Sequence, residues 1–144
     1  EFGLREPGAI LDKTRELVLE TFGKNDANVR DGMDISLLAI NKYSNADAEI
    51  NLQWAGANNP LWYYQNNELK EIKANKQSIG KTDNPETFTT HSIELNKGDS
   101  LYLFTDGFAD QFGGPKGKKF MYKNLERILI ENTEKNLKKE SQKN

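Results

Sequence analysis

The chain has 144 residues, 35% of them hydrophobic, with 20 Lys and Arg against 22 Asp and Glu and a net charge of −2. That length suits one domain with a single core, and the balanced charge gives no reason to expect nucleic acid or an anionic membrane as partner. There is no Cys and one His, which removes disulfides, thiolate chemistry, Cys-ligated zinc, Ser-His-Asp triads and multi-histidine metal sites.

The opening "EFGLREPGAIL" is too polar for a signal peptide and lacks an initiator Met, so the expectation is a chain cut from a longer protein or processed. No apolar run reaches the roughly 18 residues of a membrane span, and no membrane insertion is expected. From Pro7 to Phe22 the spacing of Ile10, Leu11, Thr14, Leu17, Val18, Thr21 and Phe22 predicts a helix with one apolar stripe. Pro7 suits its first turn and Gly23 the position just past its end. "GKNDANVRDG" then reads as a polar connector.

Beyond it the period becomes that of strands. "DISLLAINK" (Asp34–Lys42) is apolar and β-compatible, and Glu49–Ala57 alternates through Ile50, Leu52 and Trp54. "LWYYQ" and "ELKEIK" flank Asn66–Asn67, a pair that tolerates the positive φ of a two-residue hairpin turn. Thr87–Leu95 and Ser100–Thr105 are the next strands, joined by "NKGD". The last element is a helix from about Tyr122 to Asn136, with Leu125, Ile128 and Leu129 as its apolar face, and residues 137–144 are expected to fray as a Lys-rich tail. The whole reads as an antiparallel meander with helices at its ends, an α+β layered domain.

"LYLFTDGFADQFGGP" (Leu101–Pro115) carries the clearest chemical signal. A strand apolar on both faces is expected to be central, and Asp106 follows where it emerges. If "DGFADQF" coils into a helical turn, Asp106 and Asp110 share one face. Their mutual repulsion at the rim of a core would be relieved by a hard divalent cation such as Mg²⁺ or Mn²⁺. The plain alternative is an Asp-Gly turn with an exposed acid behind it.

The same stretch, "LYLFTDGFAD", resembles a conserved block of the PP2C-type metal-dependent protein phosphatases, and more closely the bacterial SpoIIE/RsbU-like serine phosphatases. "DGMDISLLAIN", "LQWAGANNPLWYY" and "KQSIG" resemble further blocks in the same order, so the likeness runs from about Asp31 to Lys123. The resemblance implies an αββα sandwich of two antiparallel sheets flanked by helices, holding two Mg²⁺ or Mn²⁺ ions. It also implies a metal-bound water that hydrolyses phosphoserine or phosphothreonine, and a cytoplasmic setting. The implied substrate is a phosphorylated signalling protein, such as an anti-sigma-factor antagonist. By this likeness Asp106 is a metal ligand and Asp110 an outer carboxylate.

The sequence departs from the pattern at both ends. No "DGHG"-like block precedes Asp31 and no acidic strand follows Lys123. Ala57 stands where many broader relatives carry an Asp, and "AGANNP" lacks the hairpin His. The expectation is a single incomplete domain, 1–144, that binds ions weakly or not at all, hydrolyses little by itself, and is prone to self-association through exposed sheet edges. A catalytically empty domain of this fold that binds a protein partner is the alternative.

Other residues have plainer readings. Asp31 and Asp34 suit an Asp-Gly turn and a strand entry, and Asn58–Asn59 suits a turn. His91 reads as a surface residue. Trp54, Trp62, Tyr63 and Tyr64 read as core and cross-strand aromatics. "GGPKGKK" (Gly113–Lys119) is a basic loop that could touch a phosphoprotein; it lacks the Gly-Lys-Ser/Thr ending of a P-loop.

Overall fold

The computed structural model describes residues 2–22, 31–41, 49–113 and 117–143. Most of the polar connector (23–30) and the middle of the basic loop (114–116) lie outside the described residues.

Helix α1 spans Pro7–Phe22, as the spacing predicts. Its buried stripe is narrower than expected. Pro7, Gly8 and Leu11 are buried and Val18 joins Leu11 against Ala55, Ala57, Ile79 and Phe88, while Leu17 and Phe22 face solvent. Two alanines opposite the helix allow close approach, so only the side turned squarely to them is covered.

Strands β1 (Ile35–Ile40), β2 (Glu49–Ala57) and β5 (His91–Asn96) form one antiparallel sheet in the order β1-β2-β5. Strands β3 (Leu61–Gln65), β4 (Glu68–Ile72) and β6 (Ser100–Leu103) form a second, in the order β4-β3-β6. Asn66 and Asn67 sit at φ 53° and 61° between β3 and β4, the left-handed pair that a tight hairpin demands. The simple meander gives way to two sheets because the chain changes sheet after β2, after β4 and after β5.

Period-2 alternation then sorts each strand into two faces. Leu52, Trp54, Ile93 and Leu95 of the first sheet meet Leu61, Tyr63, Ile72 and Leu101 of the second in a shared core. Trp54 is its anchor: it is 0% exposed, and its ring N–H donates to Ser36 Oγ at 2.7 Å. Ala55 and Ala57 turn the other way, toward α1.

Short strands β7 (Phe112–Gly113) and β8 (Lys118–Lys119) precede helix α3 (Tyr122–Ser141). On the outer face of the second sheet, Trp62 meets the Tyr122 ring of this helix at 6.1 Å, and Tyr102 OH hydrogen-bonds Thr133 Oγ1. The order of layers is therefore helix, sheet, sheet, helix, the αββα sandwich that the resemblance implies.

Two expectations need correction. Strand β6 is not central among the described residues: β3 holds the centre of its sheet, and Leu103 is 45% exposed. Its double-faced apolarity instead serves the inter-sheet core through Leu101 and the α3 side through Tyr102. The tail begins later than Asn136, because α3 continues to Ser141. Leu137 remains half-buried, and Lys138 and Lys139 complement the dipole of the last turn.

Candidate metal centre

The register fixes one end of the sandwich as the chemical end. Ile35 pairs with Ala57 in the first sheet, and Leu61 pairs with Leu103 in the second. Residues 58–60 cross from one sheet to the other at this end. Asp34 therefore stands just before the first sheet and Asp106 just beyond the second, at the same end of the molecule.

Asp106 opens a single helical turn, α2 (Asp106–Ala109), and the backbone N–H of Asp110 closes it on Asp106 O at 2.8 Å. The expected coil over "DGFAD" is thus present, with Ala109 buried beneath it. Both carboxylates lie on the exposed side, where water screens the repulsion that burial would sharpen. Their donor chemistry suits a hard cation.

Among the described residues, no three Asp, Glu or His side chains come together as a cation site. The described residues alone do not fit the two-ion centre of the family, because affinity in such sites rises with the number of carboxylates.

Asp34 has a structural task. Its Oδ1 accepts from Ser78 Oγ at 2.7 Å and from Asn58 Nδ2 at 2.8 Å. Asn58 takes φ 60° to reach it, and its backbone N–H donates to Asn75 O at 2.9 Å. The "KQSIG" turn is thereby tied to the crossing. The same turn lies flat on "DGMD": Met33 and Ile79 exchange backbone hydrogen bonds at 3.0 and 2.8 Å, and a Cβ on Gly80 would stand 3.0 Å from Gly32 Cα. The strand-entry role expected for Asp34 and the turn role expected for Asn58 agree with this geometry; the ties through Ser78 were hidden, because the two stretches lie 44 residues apart.

His91 is not a plain surface residue. It pairs with Trp54 across the strands, and the two rings sit 5.6 Å apart. Trp54, Trp62 and Tyr64 are buried, as core aromatics should be. Part of the basic loop is strand, with Phe112 opposite Lys119 and Gly113 opposite Lys118. A cleft of about 890 Å³ is lined by Asn51, Tyr63, Gln65 and Ile93 toward the opposite ends of β2 and β3, away from Asp106.

Tyr64 lies buried in the second sheet. Burial pushes its hydroxyl above the usual tyrosine range, with smaller contributions from Glu134 and Tyr102. Its oxygen finds no hydrogen-bond partner. It sits on the α3 side of the second sheet and serves packing.

Comparison with known proteins agrees with this geometry. No curated protein matches. Among solved structures, the SiaA-PP2C domain of Pseudomonas aeruginosa superposes with a TM-score of 0.71 at 28% identity, over 90% of this chain and 47% of that one. The chain thus spans about half the length of that neighbour. No helix among the described residues is long and apolar enough to cross a membrane. The family model for Stage II sporulation protein E matches residues 3–143, and the chain belongs to this SpoIIE family of PP2C-like domains.

Proposed function

We propose that this chain is part of a metal-dependent protein serine/threonine phosphatase domain to which it contributes Asp106 as a metal ligand, with Asp110 as an outer carboxylate. The observation that carries the proposal is the place of Asp106. It leaves a core strand at the end where the chain crosses between the two sheets, in a member of the SpoIIE family. The substrate would be a phosphoserine on a bacterial signalling protein of the kind that regulates sigma factors. Mn²⁺ or Mg²⁺ would be the ion, and the remaining ligands would come from sequence beyond this chain or from a second chain. Alone, the chain would turn over little.

Calorimetric titration with Mn²⁺, beside a phosphoserine-peptide hydrolysis assay, tests this. Binding at about millimolar strength or weaker that disappears in Asp106→Asn, with at most trace hydrolysis, is the expected result. Tight binding with full hydrolysis would show that other acids complete the site and would sink the incompleteness. Metal binding indifferent to Asp106→Asn would sink the role of Asp106. The alternative, a PP2C-fold domain that only binds a protein partner, draws support from the small number of carboxylates gathered among the described residues. It predicts no metal response at all.

A further inference from the structure

Helix α3 is long but thinly held. Of its 20 residues, Leu125 and Thr133 are the buried ones, and the second is polar. Beneath the helix, on one face of β3, the Trp62 ring N–H and the Tyr64 hydroxyl are buried without a hydrogen-bond partner among the described residues. Tyr102 O–H donates to Thr133 Oγ1, whose own proton goes to Leu129 O at 2.8 Å. Where the helix begins, Met121 takes φ 69° and ψ 147°, a backbone region nearly confined to glycine and retained where the surroundings enforce it. Opening would relieve these features together: water would reach the two orphan groups, and Met121 would relax.

The Asp106 turn depends on that helix. Helix α2 is four residues long, too short to persist by itself. What holds it comes from the start of α3. Met121 N–H donates to Ala109 O and Phe120 N–H to Gln111 O, each at 2.8 Å, and the Phe108 and Phe120 rings meet edge-on at 5.5 Å. Asn124 Nδ2 donates to Phe120 O, which ties the junction into the first turn of α3. Phe104, two residues before Asp106, packs against Trp62 at 4.6 Å and Tyr122 at 6.0 Å. The core between the two sheets includes no residue of α3, so it can stand while the helix moves.

We propose that α3 and the Asp106 turn form one switching unit: α3 docked on the second sheet holds the turn in shape, and α3 released frees it, while the two sheets stay folded. Whatever displaces or secures α3 then acts on Asp106 and Asp110 without touching them. The bearing of this unit on a metal rests on the phosphatase reading above; the coupling itself does not. Native-state amide exchange of the whole chain, resolved by residue and without metal, is the experiment. The amides of Asp110, Phe120 and Met121 should share one opening constant with those of α3, about tenfold or more above that of the β2 amides.

Thr133→Val cuts the tie to Tyr102 in the middle of α3, well along the helix from α2, and should speed exchange of α3 and of Asp110 together by about tenfold. Met121→Gly relieves the strained start and should slow both together by about fivefold; it carries the same test in the opposite direction if the valine variant unfolds. Exchange at Asp110 that ignores either substitution while α3 responds would show a turn that opens by itself. Exchange of the α3 amides no faster than those of β2 would show a single body with no switch. Either result overturns the unit and leaves the phosphatase reading standing, since that reading fails on the Mn²⁺ titration instead.

Discussion

Gln77 is a buried polar side chain that joins three parts of the fold, and a double-mutant cycle with Arg15 measures that junction. Its Oε1 accepts from Arg15 Nη1 at 2.9 Å and from the Glu86 backbone N–H at 3.1 Å, and its Nε2 donates to Glu86 O at 2.6 Å. Arg15 also donates to Glu86 O at 2.9 Å, and its guanidinium lies 5.3 Å from the centre of the Phe88 ring. A neutral hydrogen bond contributes about 1 kcal/mol net and one to a charged group about 2 kcal/mol. Gln77→Leu removes three bonds and strands the Glu86 amide, so a loss of about 3–4 kcal/mol is expected. Arg15→Met keeps an apolar stem over Phe88 and should cost about 2 kcal/mol. Because the two share a bond, the double variant should fall short of the sum by about 1–2 kcal/mol. Urea unfolding followed by the fluorescence of buried Trp54 and Trp62 reads all four species. A coupling below about 0.5 kcal/mol, with unchanged urea slopes, would refute the junction.

Three further outcomes follow from single positions. Gly56→Ala would place a methyl 2.6 Å from Asn59 O and 2.7 Å from Trp54 Cη2; with both neighbours in the core it should cost about 2–3 kcal/mol in urea unfolding. Ser36→Ala orphans the wholly buried Trp54 N–H, for a loss of about 1–3 kcal/mol, which Ser36→Thr should partly restore. Tyr64→Phe discards a buried hydroxyl without a partner, so the melting temperature near neutral pH should hold or rise. Because the folded state raises the proton affinity of Tyr64, the stability tied to its neutral form is full below pH about 10 and is lost as pH climbs toward the folded value. The phenylalanine variant should therefore lose less stability than the parent above that pH.

Much of this fold was legible because each element carries a local signal that its tertiary partners reinforce. The α1 stripe, the alternation of β2 and the Asn66–Asn67 turn are such cases, and the four motif blocks supplied the sandwich. What stayed hidden depends on which faces meet. Leu17 and Phe22 fit the helical stripe but fall beyond the reach of Ala55 and Ala57. The apolar period of β6 reads the same for a central strand as for one whose two faces meet a core and a helix. His91 gained its neighbour only through the strand register, and Ser78 reaches Asp34 across a turn that has no period of its own. At the site, sequence placed Asp106 at a strand exit and the coil after it. Among the described residues, no three carboxylates gather there as a cation site.

That scarcity bears on how the chemical end is built. Antiparallel strands in two packed layers leave their ends open, and here the two ends are bound together by the crossing at 58–60. The backbone N–H of Asn58 goes to Asn75 O and its side-chain amide to Asp34 and Ser78, while Asp34 is occupied by Ser78 and Asn58. Both donors meet Oδ1 of Asp34, so at this end its carboxylate joins the strand entry to the turn. The first sheet therefore contributes rigidity to this end, and the second sheet contributes the carboxylates, Asp106 and Asp110, on an exposed turn. In the phosphatase reading proposed above, a chain so divided holds Asp106 in place while further ion-binding charge is supplied from elsewhere. Supplying that charge in a second chain and restoring Mn²⁺-dependent hydrolysis, in a manner that Asp106→Asn abolishes, would establish the division; hydrolysis indifferent to Asp106 would end it.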